Sequence, residues 1–443
     1  MSVVRTGEIK ALSGLRIVAA LWVVLFHFRP MLETASPPLY ESLQPILDCG
    51  AQGVDLFFIL SGFVLTWNYL ERMGDKFSIR ATMHFLWLRL ARVWPIYVVT
   101  LHLAALWIIF TLNVGDFPSP EVVNLNAISY LRQLLMVQLW FEPFFDGTSW
   151  DGPAWSISAE WLAYLVFGLL VLVIFRIERA TRARGLLVLA FAATLPPVLL
   201  LVASGSFYTP WSWLPRIVLQ FTAGALACAA VRKLRPTDRA RRRAGYASVV
   251  LIAVIVGALY YFHANPLPTI RDGFGLVDVL FMPLVVALAI GSGTLPALLS
   301  TRFLVYGGHV SFALYMVHEI VHQAWIWVMA QYRIVLEPSI AAKAIYVGLI
   351  ALSFVLAIVL FHLVEEPARK WMRRMVDDPR NRADVAAGTV AGTEAAGGGA
   401  VEDVSTQEPH PRIDVDPPVA DDVAPPNGNL APLHGPGRKA RAG

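Results

Sequence analysis

Charged residues are scarce in this 443-residue sequence. Asp, Glu, Lys and Arg together make up only 15% of it, whereas hydrophobic residues make up 56% and include 14 Trp and 24 Phe. A soluble domain is typically about a quarter charged and a little under half apolar. The low charge content therefore excludes an ordinary soluble protein and indicates a polytopic membrane protein.

Aromatic residues are absent from the C-terminal segment. From Asp377 to Gly443 there is no Phe, Trp or Tyr, and 11 acidic residues face 6 basic ones. Such a segment cannot bury enough apolar surface to offset the entropy lost on ordering. The sequence thus predicts a membrane domain over residues 1–375 and a disordered cytoplasmic tail over residues 376–443.

Apolar runs long enough to cross a bilayer as helices recur along the rest of the chain. They lie near residues 11–29, 52–70, 85–111, 154–175, 186–204, 211–231, 246–262, 276–293, 306–330 and 340–364. The apolar stretch 126–140 is shorter and predicts an interfacial or re-entrant helix. The expected fold is an all-α polytopic integral membrane helical bundle with about ten transmembrane helices.

Basic residues are distributed unequally between alternate connections. One set of connections carries 21 Lys and Arg residues, and the other set carries only Arg29, Arg132, Arg271 and Arg333. Because cytoplasmic loops carry the excess of Lys and Arg, both termini are expected in the cytoplasm. The protein is thus predicted to be a multi-pass protein of the plasma membrane.

Two groups of polar residues lie within the predicted spans. A charged side chain in hydrocarbon is costly, so such residues usually face a bundle interior or a water-filled cavity. The topology places an inner group towards the cytoplasm, namely Arg16, Arg89 and Arg92. It places an outer group towards the other side, namely His27, Asp55 and Glu160.

The outer group combines a histidine base with carboxylates that would orient it. Other interpretations remain open for single members. His27 is also compatible with an interfacial histidine at a helix end, and Arg89 and Arg92 with anchors that reach lipid headgroups. Because Glu160 lies in an apolar segment, its carboxylate must either be paired with a polar group or be protonated. Arg216 is the alternative to His27 as its partner.

Several separated motifs resemble those of the membrane acyltransferase-3 family. They are the Arg16–His27 pair with ten residues between, "GVDLFFILSGF", "RLARVWPIY", "WSISAEW", "SFALYMVH" and the "EEP" after the last span. The resemblance covers roughly residues 8–375. It departs from the family pattern at Ile157 and Ala159, and in "YMVH" before His318. No hydrolase-like domain follows the spans, so direct transfer to the acceptor is expected.

The resemblance implies an enzyme that moves an acyl group, expected to be acetyl, from acyl-CoA to a hydroxyl. The implied acceptors are glycans, glycolipids and other glycosylated compounds such as macrolides. Acyl-CoA is a co-substrate in this interpretation, with no tightly bound cofactor, no metal and no nucleic-acid partner. The residues expected to bind the donor are Arg16, Arg89, Arg92, Ser311, Tyr315 and His318. The expected catalytic residues are His27 as the base, with Glu160 or Asp55 orienting it.

A glycan or lipid transporter (flippase) is the main alternative, since the same polar residues would line a translocation path. Many transporters contain inverted repeats, and none is recognisable in this sequence. A purely structural membrane protein is disfavoured because it has no need for buried charges. Measurement of acyl-CoA turnover by the purified protein separates these classes.

Overall fold

The computed structural model describes residues 7–114, 125–144, 150–271 and 273–377. These residues form helices and no strand. The α-helices are α1 Lys10–Ala35, α2 Pro37–Leu47, α3 Gln52–Met73, α4 Ile79–Asn113, α5 Ala127–Leu134, α6 Trp155–Ala180, α7 Ala183–Ser204, α8 Trp213–Lys233, α9 Asp238–Ala264, α10 Phe281–Ile290, α11 Thr294–Leu299, α12 Arg302–Gln331, α13 Ile340–Leu360 and α14 Glu366–Asp377. Short 3₁₀ turns precede α6 and α10, and a π turn joins α13 to α14.

The helices coincide with the predicted spans. Within the described residues, nine helical segments are long and apolar enough to cross a membrane. The predicted span 306–330 is also one helix, the 30-residue α12, but its His and Glu residues make it less apolar than the nine. The prediction of an all-α polytopic helical bundle is therefore confirmed.

All the described residues belong to one compact unit. The predicted disordered tail lies outside the described residues from residue 378 onwards, so it stays a prediction.

The stretch 126–140 forms a shorter helix than its apolar residues suggest. Helix α5 ends at Leu134, and Met136 adopts a left-handed backbone conformation with φ of 58°. Side chains of α4 bind the carbonyl groups at this helix end: Tyr97 Oη donates to Gln133 O at 2.8 Å. The tertiary contact with α4 thus provides partners for carbonyls that a longer helix would have paired internally.

Glycines bring the helices that carry the predicted site residues close together. Helix α1 packs along α12, and α3 packs along α8. A Cβ atom on Gly308 of α12 would overlap the Ser13 carbonyl of α1, and one on Gly62 of α3 would overlap the Phe221 carbonyl of α8. Small residues at membrane helix contacts permit such close backbone approach. The contact between α1 and α12 is the one on which the site is built.

Candidate active site

A cleft lies between α1, α3, α4, α6 and α12. Six of the nine predicted site residues line this cleft. They are Arg16, Arg89, Arg92, Glu160, Ser311 and Tyr315. The structure therefore brings five of the six predicted donor-binding residues together and adds Glu160 to them. It does not place His318 in the cleft, because this side chain is turned towards His27.

Two of the cleft arginines have no acidic partner. In the part of the chain that the structure describes, Arg16 forms no hydrogen bond and no ion pair within 4.0 Å. The Arg89 guanidinium lies 5.7 Å from the Tyr69 ring and 6.0 Å from the Phe85 ring, and its buried Nε has no hydrogen-bond partner. Guanidinium groups stack on aromatic rings while keeping their donors available for phosphate. Among its described lining residues the cleft therefore holds three arginine side chains against one carboxylate, Glu160, and this excess of positive charge suits an anion.

Arg92 has a partner that the sequence analysis did not assign. Its Nη1 atom donates to Glu365 Oε1 at 3.3 Å, and the Glu365 side chain is fully buried. Arg369 Nη1 lies 3.7 Å from the same oxygen. The first glutamate of the "EEP" motif thus holds Arg92 at the cleft wall.

Glu160 lies in the cleft and not beside His27. Its Oε1 accepts a hydrogen bond from Ser61 Oγ of α3 at 2.6 Å. Together with Arg16 and Tyr164 it lines the cleft wall. The structure corrects the predicted outer group here, because the rotation of α6 about its axis turns this carboxylate towards α3.

Asp55 forms a buried ion pair with Arg216 of α8. Arg216 donates from Nε to Asp55 Oδ1 at 2.9 Å and from Nη2 to Oδ2 at 2.6 Å. The two side chains are only 2% and 0% exposed. The structure again corrects the predicted group: Asp55 is turned towards α8, and both of its oxygens are occupied there.

Asp55→Ala is expected to lower stability by about 3–5 kcal/mol, because it leaves the Arg216 cation buried without its partner. Thermal unfolding of the purified protein in detergent measures this loss. Glu142→Ala is the control, since it removes a half-exposed pair with Arg132 at 3.6 Å and should cost at most about 1 kcal/mol. An Asp55→Ala protein as stable as the control would contradict the structural role.

His27 contacts His318 of α12 across the α1–α12 interface. His27 Nδ1 lies 2.9 Å from Val23 O and 3.3 Å from His318 Nε2, and His318 Nδ1 lies 3.2 Å from Leu314 O. Because a carbonyl oxygen only accepts hydrogen bonds, each Nδ1 carries the hydrogen. The single hydrogen on His27 Nδ1 is then shared between Val23 O and, at the longer distance, His318 Nε2, and His27 Nε2 keeps a free lone pair.

Glu319 is the carboxylate beside His27. Its Oε2 lies 4.0 Å from His27 Nε2, and within the described residues no other carboxylate comes as close to this histidine. Its Oε1 accepts from Gln323 Nε2 at 2.6 Å and contacts His322 Nδ1 at 3.1 Å. Glu319 is not among the residues predicted from the sequence, although a carboxylate within an apolar span is itself a functional signal.

His27, His318 and Glu319 each offer one ligand atom, and these atoms lie within 4.8 Å of one another. Two histidines and a carboxylate are a ligand set that zinc accepts. His318 Nε2, however, is directed at His27 Nδ1 at hydrogen-bond distance. A metal ion would have to break that contact, so the arrangement fits a hydrogen-bonded base better than a metal centre.

Tyr315 connects the cleft to this histidine pair. It lines the cleft, and its ring centroid lies 5.8 Å from that of His318, which is 4.9 Å from that of His27. Its hydroxyl is held at the start of α6, 2.8 Å from Ser156 Oγ and 2.9 Å from Pro153 O. Tyr315 thus contacts both the cleft and His318, whereas neither histidine lines the cleft.

The chain matches the family model described as "Acyltransferase domain", named Acyl_transf_3, over residues 9–362. It belongs to the acyltransferase-3 family. This confirms the resemblance inferred from the motifs. The family motifs form the walls of the cleft: Ser61 comes from "GVDLFFILSGF", Glu160 from "WSISAEW" and Tyr315 from "SFALYMVH".

Two curated relatives are similar to parts of the chain. "Acyltransferase MdmB" of Streptomyces mycarofaciens is 33% identical over 165 residues, which cover 37% of this chain and 40% of that protein. "Protein 2 in picA locus" of Rhizobium radiobacter is 31% identical over 204 residues, which cover 44% of this chain and 94% of that protein. The chain thus spans less than half the length of MdmB. No solved structure matches it.

Proposed function

We propose that this protein transfers an acyl group, expected to be acetyl, from acyl-CoA to a hydroxyl of a glycan, glycolipid or other glycosylated acceptor. One observation carries the proposal. Two arginines without an acidic hydrogen-bond partner line a cleft against α1, and His27, which has a free lone pair, lies further along the same helix. Membership of the acyltransferase-3 family supports the same reaction class.

The cleft arginines suit the phosphate-rich end of coenzyme A. Arg16, Arg89 and Arg92 present planar donors that match phosphate oxygens. Arg16 and His27 are both on the continuous helix α1, eleven residues and therefore roughly 16 Å apart. A pantetheine arm extended along the cleft would place the thioester near His27.

His27 acts as the general base in this proposal. Its Nε2 takes the proton from the acceptor hydroxyl while the hydroxyl oxygen attacks the thioester carbonyl carbon. The carbon–sulfur bond then breaks, and the departing CoA sulfur receives the proton from His27. Glu319, 4.0 Å from Nε2, stabilises the protonated ring between these two transfers.

The unequal distribution of Lys and Arg supports an orientation with both termini in the cytoplasm of a plasma-membrane protein. In that orientation the arginines lie on the cytoplasmic side, where acyl-CoA is available. His27 lies towards the outer side. The donor would then enter from the cytoplasm and the acceptor from the opposite direction.

The proposal is tested by incubating the purified protein in detergent with acetyl-CoA and a glycoside, and by measuring both free CoA and the acetylated product. Mass spectrometry of surface glycans and glycolipids from a deletion strain identifies the natural acceptor. Transport of a glycolipid across liposomes without any acyl-CoA turnover would contradict the proposal and favour the transporter.

Arg16→Ala is expected to raise the KM for acetyl-CoA about tenfold or more and to change kcat little, because a charge-assisted phosphate contact is lost. Initial rates at varied acetyl-CoA measure this. Arg302→Ala is the control, since Arg302 is an exposed arginine on α12 outside the cleft. An unchanged KM for acetyl-CoA would place the donor phosphates elsewhere.

A further inference from the structure

The residues that precede α1 are held against three different helices. The Gly7 carbonyl accepts a hydrogen bond from Trp67 Nε1 of α3 at 3.1 Å. Glu8 Oε1 accepts from Ser13 Oγ of α1 at 2.6 Å and lies 2.8 Å from His309 Nε2 of α12. An ionised carboxylate only accepts hydrogen bonds, so His309 Nε2 carries the hydrogen and donates it. One carboxylate thus joins the starts of α1 and α12.

These contacts lie at one end of the cleft. Each of the three helices contributes one of these contact residues and, three positions away, one residue that lines the cleft. The pairs are Ser13 and Arg16 on α1, Trp67 and Val64 on α3, and His309 and Phe312 on α12. All three steps lead to the end of the bundle where α1 and α12 begin and α3 ends. Because residues three apart share a helix face, the Glu8 carboxylate is bound about one helical turn beyond Arg16, at this end of the cleft.

Glu8 carries a negative charge at neutral pH. Partial burial raises the pKa of its carboxyl, but the hydrogen bond from Ser13 and the contact with His309 outweigh this effect and hold the pKa below its ordinary value. The His309 and Glu8 side chains are 47% and 40% exposed, and exposed ion pairs of this kind contribute little to stability. A phosphate, which carries more charge, therefore competes well with the carboxylate for the same hydroxyl and imidazole donors.

We propose that Ser13 and His309 form a subsite for the ribose phosphate of coenzyme A, and that Glu8 occupies this subsite until the donor displaces it. The proposal rests on the proposed function, in which the donor is acyl-CoA and its thioester arm extends from the arginines towards His27. The diphosphate at the base of that arm then lies beside Arg16. The nucleotide and its ribose phosphate lie further out, towards Ser13 and His309. Recognition of the ribose phosphate thus competes with an internal anion.

Binding of coenzyme A and of 3′-dephospho-coenzyme A tests the subsite, because the two ligands differ only in the ribose phosphate. Equilibrium dialysis with the full chain purified in detergent measures both dissociation constants. The wild-type protein is expected to bind coenzyme A about tenfold more tightly, since the other ligand makes no charge-assisted contact with His309. A wild type that binds both ligands equally tightly would overturn the subsite.

Glu8→Gln removes the competing charge and keeps the side-chain length. It is expected to lower the dissociation constant for coenzyme A about two- to fivefold and to leave that for 3′-dephospho-coenzyme A unchanged, because only coenzyme A displaces Glu8. Glu33→Gln is the matched control, since Glu33 is an exposed glutamate at the opposite end of α1, and it should change neither constant. An equal gain for both ligands in Glu8→Gln would overturn the displacement, because it would reflect only a general loss of negative charge.

His309→Ala removes the proposed donor to the ribose phosphate. This variant is expected to bind the two ligands about equally tightly. The control is His263→Ala, at an exposed position near the end of α9, and it should keep the wild-type preference. Folded protein is quantified by size-exclusion chromatography, so that each constant refers to folded molecules. A His309→Ala protein that keeps the wild-type preference for coenzyme A would contradict the subsite.

These measurements separate the subsite from the proposed function. If neither ligand binds to the wild type, acyl-CoA is not the donor, and the proposed function and the subsite fail together. If both ligands bind equally tightly and Glu8→Gln binds them as the wild type does, the subsite fails while acyl-CoA remains the donor.

Discussion

His27→Ala is expected to reduce acyl transfer about 10²–10⁴-fold, because the variant lacks the base that removes the acceptor proton. The variant should still insert and fold at normal abundance. The His27 side chain is 28% exposed and its Nδ1 contacts Val23 O within its own helix and His318. After its loss Glu319 still has its contacts with His322 and Gln323. Turnover per folded molecule, with folded protein quantified by size-exclusion chromatography, measures the effect.

His102→Ala is the matched control for this experiment. The His102 ring also contacts a carbonyl of its own helix, with Nδ1 2.7 Å from Val98 O, and it is exposed away from the cleft. We expect this variant to retain wild-type turnover. If His27→Ala also retained it, His27 would not be the base, and the proton would have to leave the acceptor by another route.

Glu319→Gln is expected to lower kcat about 10²–10⁴-fold with little change in the KM for acetyl-CoA. The substitution keeps the shape and removes the charge that faces His27. The protonated ring then lacks its counter-charge in a low-dielectric site, which costs about 3–5 kcal/mol in the step that forms it. Steady-state kinetics with acetyl-CoA varied at saturating acceptor separate kcat from KM.

Two further variants distinguish this electrostatic role from a packing role. The double variant of Glu319→Gln with His27→Ala should be little slower than His27→Ala alone, because residues that act as one unit are strongly non-additive. Glu366→Gln is the control, since Glu366 pairs with His362 at 3.4 Å at a half-exposed position on α14. A Glu319→Gln protein that folds poorly but turns over normally per molecule would show that Glu319 only supports packing.

The donor side of the site could largely be located from the sequence. The Arg16 and His27 spacing predicts two polar residues on one continuous helix, and α1 is continuous from Lys10 to Ala35. The topology placed Arg16, Arg89 and Arg92 at a similar depth, and all three line the cleft. Depth follows directly from position along an apolar run, because each helical residue advances the chain by about 1.5 Å.

The carboxylate partner of His27 could not be chosen from the sequence. Asp55, Glu160 and Glu319 all lie within helices that are long enough to span the bilayer. Depth alone does not separate them, since each was predicted to lie in the outer half or near the middle of its span. The direction in which each side chain points depends on helix rotation, which is set by packing against neighbouring helices.

The sequence by itself determined the class of the protein, its helices and its family. Scarce charge and long apolar runs leave a helical membrane bundle as the consistent fold, because backbone polar groups in hydrocarbon must be paired within the helix. Only the tertiary structure decided which charges meet. Close packing of α3 on α8 places Asp55 beside Arg216. The rotation of α6 places Glu160 in the cleft. The contact of α1 with α12 places Glu319 beside His27. A buried carboxylate needs a hydrogen-bond donor, and the donors to Asp55 and Glu160 lie on other helices far away in the sequence.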